Sequence, residues 1–321
     1  MPYSFIIIRK KFAKLAVAAA LFMPLTAFAE TEITVSVAAT PSHLLPNVAL
    51  DEGFFKAEGL KVTTKEATNI ALTIPTVLSG EVTFGVGDTL GAIQAIAGGA
   101  PIRLVGGPHV VFGDMEPTTA HGLLVLTDSS IKSVKDLEGK KVGVHSLKSV
   151  HDFVLIAALA KSGIDPKKVT LVEIPVGNIA AAVHQKRVDA GIVHEPLLTM
   201  AIKGGLKYVQ PLGNEAAGLP VQMFFTSAAY AKQHPEVVAA FVRAIDKSVD
   251  LLVKDPQKHR EYSKKYTGMD PTVVQEIRLP KMITTVGISE YQKLEELMVS
   301  SSWMTQKMPK AETFVIPSVN K

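Results

Sequence analysis

Residues 47–60 read NVALDEGFFKAEGL. A short helical run ends in Phe54–Phe55, Lys-Ala-Glu-Gly follows, and from Leu60 the chain turns strand-like over 60–65. The spacing predicts a helix over 46–57 feeding directly into a strand, and the chain on either side repeats this unit. Upstream, 33–38 alternates β-branched and small residues. Downstream come a helix over 70–78, a strand over 82–86, a helix over 90–97 stopped by Gly98–Gly99, and a strand over 102–105. Such alternation argues for α/β architecture with parallel sheets flanked by helices.

The alternation restarts with strands over 123–126 and 141–144, a helix over 149–162, and strands over 169–174, 190–193 and 208–209 separated by helices over 179–186 and 197–202. Ser149 with Asp152 three residues on has the form of a capping box. A strand over 222–228 returns to the first unit. The remainder reads as helical, with Pro235, Pro256 and Pro271 at first-turn positions, Asp255 and Asp270 as caps, and Ser289–Gln292 as a further capping box. The expected organisation is a first domain from 30–120 plus 222–321 and a second, inserted domain at 121–221. Two short crossings, near 117–124 and 219–225, would let the pair hinge around a ligand cleft.

Four segments carry a resemblance: 47–60, SGEVTFGV at 79–86, DLEGKKVGV at 136–144 and VDAGIVHEP at 188–196. In this order and spacing the chain resembles the solute-binding proteins of ABC importers, in the SsuA/TauA-like branch that takes nitrate, taurine, alkanesulfonates and thiamine precursors. The resemblance covers about 33–303. It implies a type II periplasmic binding protein with two α/β domains, a hinge and an interdomain cleft. It implies a small-molecule ligand, permease and ATPase partners, a monomer, no cofactor, no metal and no enzymatic chemistry.

The ends and the composition agree with export. Arg9, Lys10, Lys11 and Lys14 precede an apolar run over 15–25, and Ala27-Phe28-Ala29 fits a cleavage site, so 1–29 reads as a signal peptide. The run is short against the roughly 20 residues of a bilayer span. The chain holds 34 Lys and Arg against 30 Asp and Glu, and removal of those four basic residues leaves it near neutral. No basic stripe interleaved with aromatics is present, so nucleic acid is not an expected partner. With no cysteine, disulfides, thiol chemistry and a lipid-modified cysteine are excluded. A periplasmic location follows as the expectation.

Ligands of open α/β sheets bind beyond the carboxyl ends of the strands. Those ends supply the candidates Ser42, His43, Asp88, Thr89, His109, Ser146, Ser149, His151, Asn178, His194 and Glu195. Several of these loops run into helices, whose free N–H groups attract anions. Ser149, Asn178 and Thr89 are equally readable as caps of their own helices. Five histidines, at 43, 109, 145, 151 and 194, fall in these loops, while the arginines of the exported portion fall in strands or helices. Imidazole can hydrogen-bond a ligand or hold a metal, but no His-x-x-x-His spacing occurs. Glu195 reads as an acceptor for a ligand amine, a partner for histidine, or a cap of the next helix.

A sulfonate or carboxylate anion is the expected ligand, held by backbone N–H, hydroxyls, Lys148 and histidine. The alternative is a thiamine-precursor-like heteroaromatic, with Phe112 and Phe153 available for stacking. Readings of another class are a periplasmic enzyme or a sensor subunit on the same fold. Gly85–Gly91 departs from G-x-G-x-x-G because Leu90 stands where the third glycine belongs. Ser129–Lys132 matches S-x-x-K without partner motifs. Pro196 denies His194–Glu195 the helix interior that a zinc motif needs.

Overall fold

The computed structural model describes residues 30–67, 73–111, 121–304 and 308–316, with backbone alone over 106–109. The segment 1–29 read as a signal peptide lies outside the described residues, as do Phe112 and most of the segment expected to form the first crossing.

The stretch that decides the fold divides in two. Helix α1 (Leu45–Asp51) and helix α2 (Phe54–Ala57) are separated by Gly53, whose φ of 72° lies in the left-handed region. One continuous helix was expected over 46–57. A residue without Cβ lets the backbone turn there at little steric cost, and the turn drops Phe55 into the core. Its ring stacks on Phe241 at 5.8 Å, and Phe241 stacks on Phe84 at 4.0 Å. Strand β2 (Leu60–Glu66) then pairs in parallel with β1 (Thr31–Val37).

Helix α3 (Thr73–Leu78), strand β3 (Gly85–Asp88), helix α4 (Thr89–Ala97) and strand β4 (Ile102–Val111) follow. The second group comprises β5 (His121–Leu126), β6 (Lys141–Val144), α5 (Val150–Lys161), β7 (Thr170–Glu173), α6 (Ile179–His184), β8 (Ala190–His194), α7 (Leu197–Lys203) and β9 (Leu206–Leu212). The chain returns through β10 (Pro220–Ser227) and ends with α8 (Ala228–Gln233), α9 (Pro235–Lys254), α10 (Pro256–Thr267), α11 (Pro271–Glu276), β11 (Lys281–Ile283), α12 (Ile288–Ser300) and β12 (Val315–Ile316).

One sheet runs β11-β4-β10-β3 with β12 on β4; the other runs β7-β6-β8-β5-β9. Neither is wholly parallel: β10 is antiparallel to β3 and β4, and β5 is antiparallel to β8 and β9. These are the strands next to the two crossings: β5 opens the second sheet and β10 returns to the first. The tail is not all helical either, since β11 and β12 add strands to β4. Their short length left no period to read. Asp255 and Asp270 cap α10 and α11 as expected, whereas α12 starts at Gly287 with Glu290 closing the cap, in place of Ser289 and Gln292.

Buried side chains form one core that spans the first sheet, the long helix α9 and the inner face of α5. A smaller cluster of Leu124, Ile179, Val183, Val193 and Leu198 lies under α6 and α7. Among the described residues, no helix is long and apolar enough to cross a membrane.

Candidate functional site

The carboxyl ends of β3, β6 and β8 open onto a cleft of about 830 Å³. Eight of the eleven expected residues line it: Ser42, His43, Asp88, Ser146, Ser149, His151, His194 and Glu195. Thr89 and Asn178 do not. Thr89 is the fully buried first residue of α4, and Asp88 is the cap in its place. Asn178 is exposed and makes no capping bond. His109 does not sit in a loop: β4 continues to Val111, and His109 pairs there with Ile283. The glycines at 106 and 107, read as a strand end, are inside the strand.

Strand register builds a histidine cluster. β5 and β8 run antiparallel with His121 opposite His194. Helix α5 starts above them and lays the His151 ring 5.5 Å from His121 and 5.0 Å from His194, with His145 at 5.6 Å on its other side. His151 Nε2 and His194 Nδ1 are 2.9 Å apart. His43 sits in a 3-10 turn at Pro41–His43, its Nδ1 2.6 Å from Thr40 Oγ1. His259 Nε2 donates to Pro41 O of that turn at 3.2 Å.

Loss of hydration keeps His43, His121, His151 and His194 neutral. Loss of hydration, reinforced by His194, lowers His43 to about 4 and His121 to about 3. The same loss of hydration, with His145 beside it, lowers His194 to about 4. His151 is held well below its ordinary value by burial and by three neighbouring imidazoles. Protonated imidazole was expected to draw an anion. A charged ring in this place would lose its hydration and face other rings of like charge.

The helix starts are already occupied. Asp88 Oδ1 accepts from Leu90 N at 2.7 Å and Gly91 N at 3.1 Å, and the carboxyl also accepts from Val150 N at the start of α5. Ser149 Oγ takes His151 N at 3.3 Å, and Asp152 takes Lys148 N at 2.7 Å and Ser149 N at 2.9 Å. The capping box at Ser149 and Asp152 thus forms as the sequence predicts. Burial pushes Asp88 up to about 6. One buried carboxyl therefore fills the N–H groups of two helices at the cleft wall.

The cations are likewise engaged. Lys148 Nζ donates to Trp303 O at 2.8 Å. Arg278, which the sequence placed in a helix or strand, lies beyond the end of α11 and reaches the cleft. Its guanidinium meets Glu195 Oε1 at 3.2 Å and packs on the Tyr208 ring at 5.1 Å. Glu195 also accepts from Thr199 N at 3.2 Å, Thr199 Oγ1 at 3.0 Å and Arg278 N at 3.2 Å. Of the readings open for Glu195, the structure favours a tie to the first turn of α7 and to arginine.

Sequence reasoning missed His121, Gln222, Phe225, Arg278 and Lys281, all of which line the cleft. His121 and Gln222 lie within strands, so a search of strand ends passes over them. Phe153 is fully buried against Trp303, with ring centres 5.6 Å apart, and is absent from the cleft wall. Among the described residues, no group of three or more metal-ligating side chains is set to hold an ion.

Known proteins resemble this chain in two ways. In sequence, a 4-amino-5-hydroxymethyl-2-methylpyrimidine phosphate synthase of Schizosaccharomyces pombe is 29% identical over 243 residues, covering 70% of this chain and 66% of the relative. A Brucella abortus protein provisionally named a binding protein is 26% identical over 229 residues, covering 70% and 67%. The chain thus spans about two thirds of the length of these relatives. In structure, the alkanesulfonate-binding protein SsuA of Xanthomonas axonopodis pv. citri, bound to MOPS, superposes with a TM-score of 0.73 at 20% identity, covering 90% of this chain and 99% of that one. The fold is therefore that of a periplasmic binding protein. The synthase relatives overturn the expectation that a chain of this kind is no enzyme, because sequence kinship here reaches named enzymes. Residues 40–259 match the family described as NMT1/THI5 like, and the chain belongs to that family.

Proposed function

We propose that the cleft captures a small, uncharged nitrogen heterocycle of the pyrimidine class and that the protein hands it to the permease of an ABC importer. The carrying observation is the carboxyl of Asp88, which fills the helix starts where a sulfonate or phosphate would sit. An anion there would displace a built-in carboxylate and meet neutral imidazoles. An uncharged heterocycle would instead find ring nitrogens and apolar side chains such as Val110, Val221 and Phe225. The synthase relatives supply the pyrimidine class by their names.

In this reading 30–120 and 222–321 form one lobe and 121–221 the other, the lobes hinge on two crossings, and the exported monomer works in the periplasm after loss of 1–29. Bonds such as Trp303 Nε1 to Asp152 and Arg278 to Glu195 would hold the closed form. A thermal-shift panel on the purified protein tests the ligand class. The free pyrimidine alcohol named in those relatives should raise the melting temperature at pH 7.5, with MOPS and taurine inert. A ligand at about 100 times its dissociation constant adds about 2.7 kcal/mol.

A second reading is favoured by the same relatives: the cleft also converts what it binds. Mass spectrometry of the incubated mixtures tests it through the appearance of a new small-molecule product.

A further inference from the structure

Among the described residues, several buried polar atoms lack a hydrogen-bond partner, and three belong to residues on the cleft wall: His43 Nε2, His151 Nδ1 and Gln222 Oε1. Gln222 differs from the two imidazoles in its support. It rises from β10, the strand between β4 and β3, and its backbone pairs with Val110 on one side and Asp88 on the other. Both of those neighbours line the same cleft. The side chain therefore projects from a strand held on two edges and not from a loop. The Asp88 carboxyl beside it is committed to Leu90 N, Gly91 N and Val150 N.

A buried amide oxygen without a donor keeps the full cost of its lost hydration. A ligand that brings an N–H removes that cost. A primary amide also offers an acceptor and a donor side by side. That pair matches an amino group next to a ring nitrogen, as glutamine does with the edge of adenine.

We propose that Gln222 is the specificity-determining residue of the cleft, its side-chain amide pairing with the amino group and adjacent ring nitrogen of the bound heterocycle. This rests on the heterocycle reading above and adds which residue selects among heterocycles. A site built to bond an N–H rejects the analogue that lacks it far more strongly than an apolar pocket rejects a missing methylene.

The test compares two compounds on two proteins by calorimetry at pH 7.5. The compounds are 4-amino-5-hydroxymethyl-2-methylpyrimidine and the same ring without the 4-amino group. The wild-type protein should prefer the amino compound by about tenfold or more, the scale of one hydrogen bond that leaves a buried partner unpaired. In Gln222→Leu the preference should fall to within about threefold, with the deaminated compound bound nearly as in wild type. Gln222→Met, read in the same way, serves if the leucine variant does not fold. An undiminished preference in a folded variant overturns the inference while leaving the heterocycle reading intact. Binding of neither compound by the wild type sinks the heterocycle reading itself, and the inference with it.

Discussion

His151 Nε2 lies 2.9 Å from His194 Nδ1, deep in the wall of the cleft. The contact is a hydrogen bond only when one nitrogen carries the proton and the other is bare, which suits two neutral rings. His121 stands opposite His194 in the strand register, and loss of hydration lowers it likewise. Acid should therefore destabilise the fold. The unfolded chain binds a proton on each histidine near pH 6.5, whereas in the folded state His43 and His194 wait until about 4, His121 until about 3, and His151 lies well below 6.5. Their contribution is full above pH 6.5 and is lost as pH falls from 6.5 to about 4 for His43 and His194 and to about 3 for His121. Asp88 acts in the opposite sense, because at about 6 its folded form takes up a proton before an unfolded carboxyl does. The imidazoles outnumber it. Stability should fall by about 1.4 kcal/mol per net proton per pH unit. Urea unfolding at pH 7.5 and pH 5.5 checks this, and an equal or higher midpoint at 5.5 would count against a neutral cluster.

Trp303 should matter more than its distance along the chain suggests. Its indole Nε1 donates to Asp152 Oδ1 at 2.9 Å, and its ring meets Phe153 edge-on. Trp303→Phe keeps most of the packing and removes the donor from a buried carboxylate. The expected loss is about 1–3 kcal/mol, read as a lower urea midpoint with an unchanged slope.

Much of this could be read from the sequence, and the failures share a cause. A helix with a first-turn proline and a full apolar stripe, such as α9, stood out because many residues repeat one period. Strand ends led to eight cleft residues, since ligands gather where parallel strands stop. His121 and Gln222 were invisible by that route, because their place depends on which strand pairs with which. Arg278 was misplaced because α11 ends at Glu276, two residues before it. The proposed ligand departs from the expected anion on burial and occupancy: a list of histidines and helix starts does not reveal that His43 and His151 are buried or that Asp88 bonds the helix-start N–H groups.

Gly191 sits on β8 under α6, and a Cβ there would collide with Ile179 and stand 3.1 Å from Val183 Cγ2. Gly191→Ala should overpack this junction and cost about 1–3 kcal/mol. Because His194 ends the same strand, the histidine cluster should shift as well. Imidazole resonances in NMR spectra of the variant would move, whereas an unchanged melting temperature would show that α6 yields freely.

Glu195→Gln tests the engaged arginine. The substitution withdraws the charge that holds Arg278 and leaves a guanidinium at the cleft with a neutral partner. Breaking such a partly buried pair should destabilise the protein by about 3 kcal/mol. It should also let an anion in, so MOPS is expected to raise the melting temperature of this variant and not that of the wild type. Equal response in both proteins would place the discrimination elsewhere.

The most direct measurement is a pair of calorimetric titrations at pH 7.5, one with 4-amino-5-hydroxymethyl-2-methylpyrimidine and one with its phosphate monoester. With Asp88 filling the helix starts and His43, His121, His151 and His194 neutral, the free alcohol should bind at least about tenfold more tightly, with little dependence on salt. Tighter binding of the phosphate ester, weakening as salt rises, would contradict the account of an uncharged ligand.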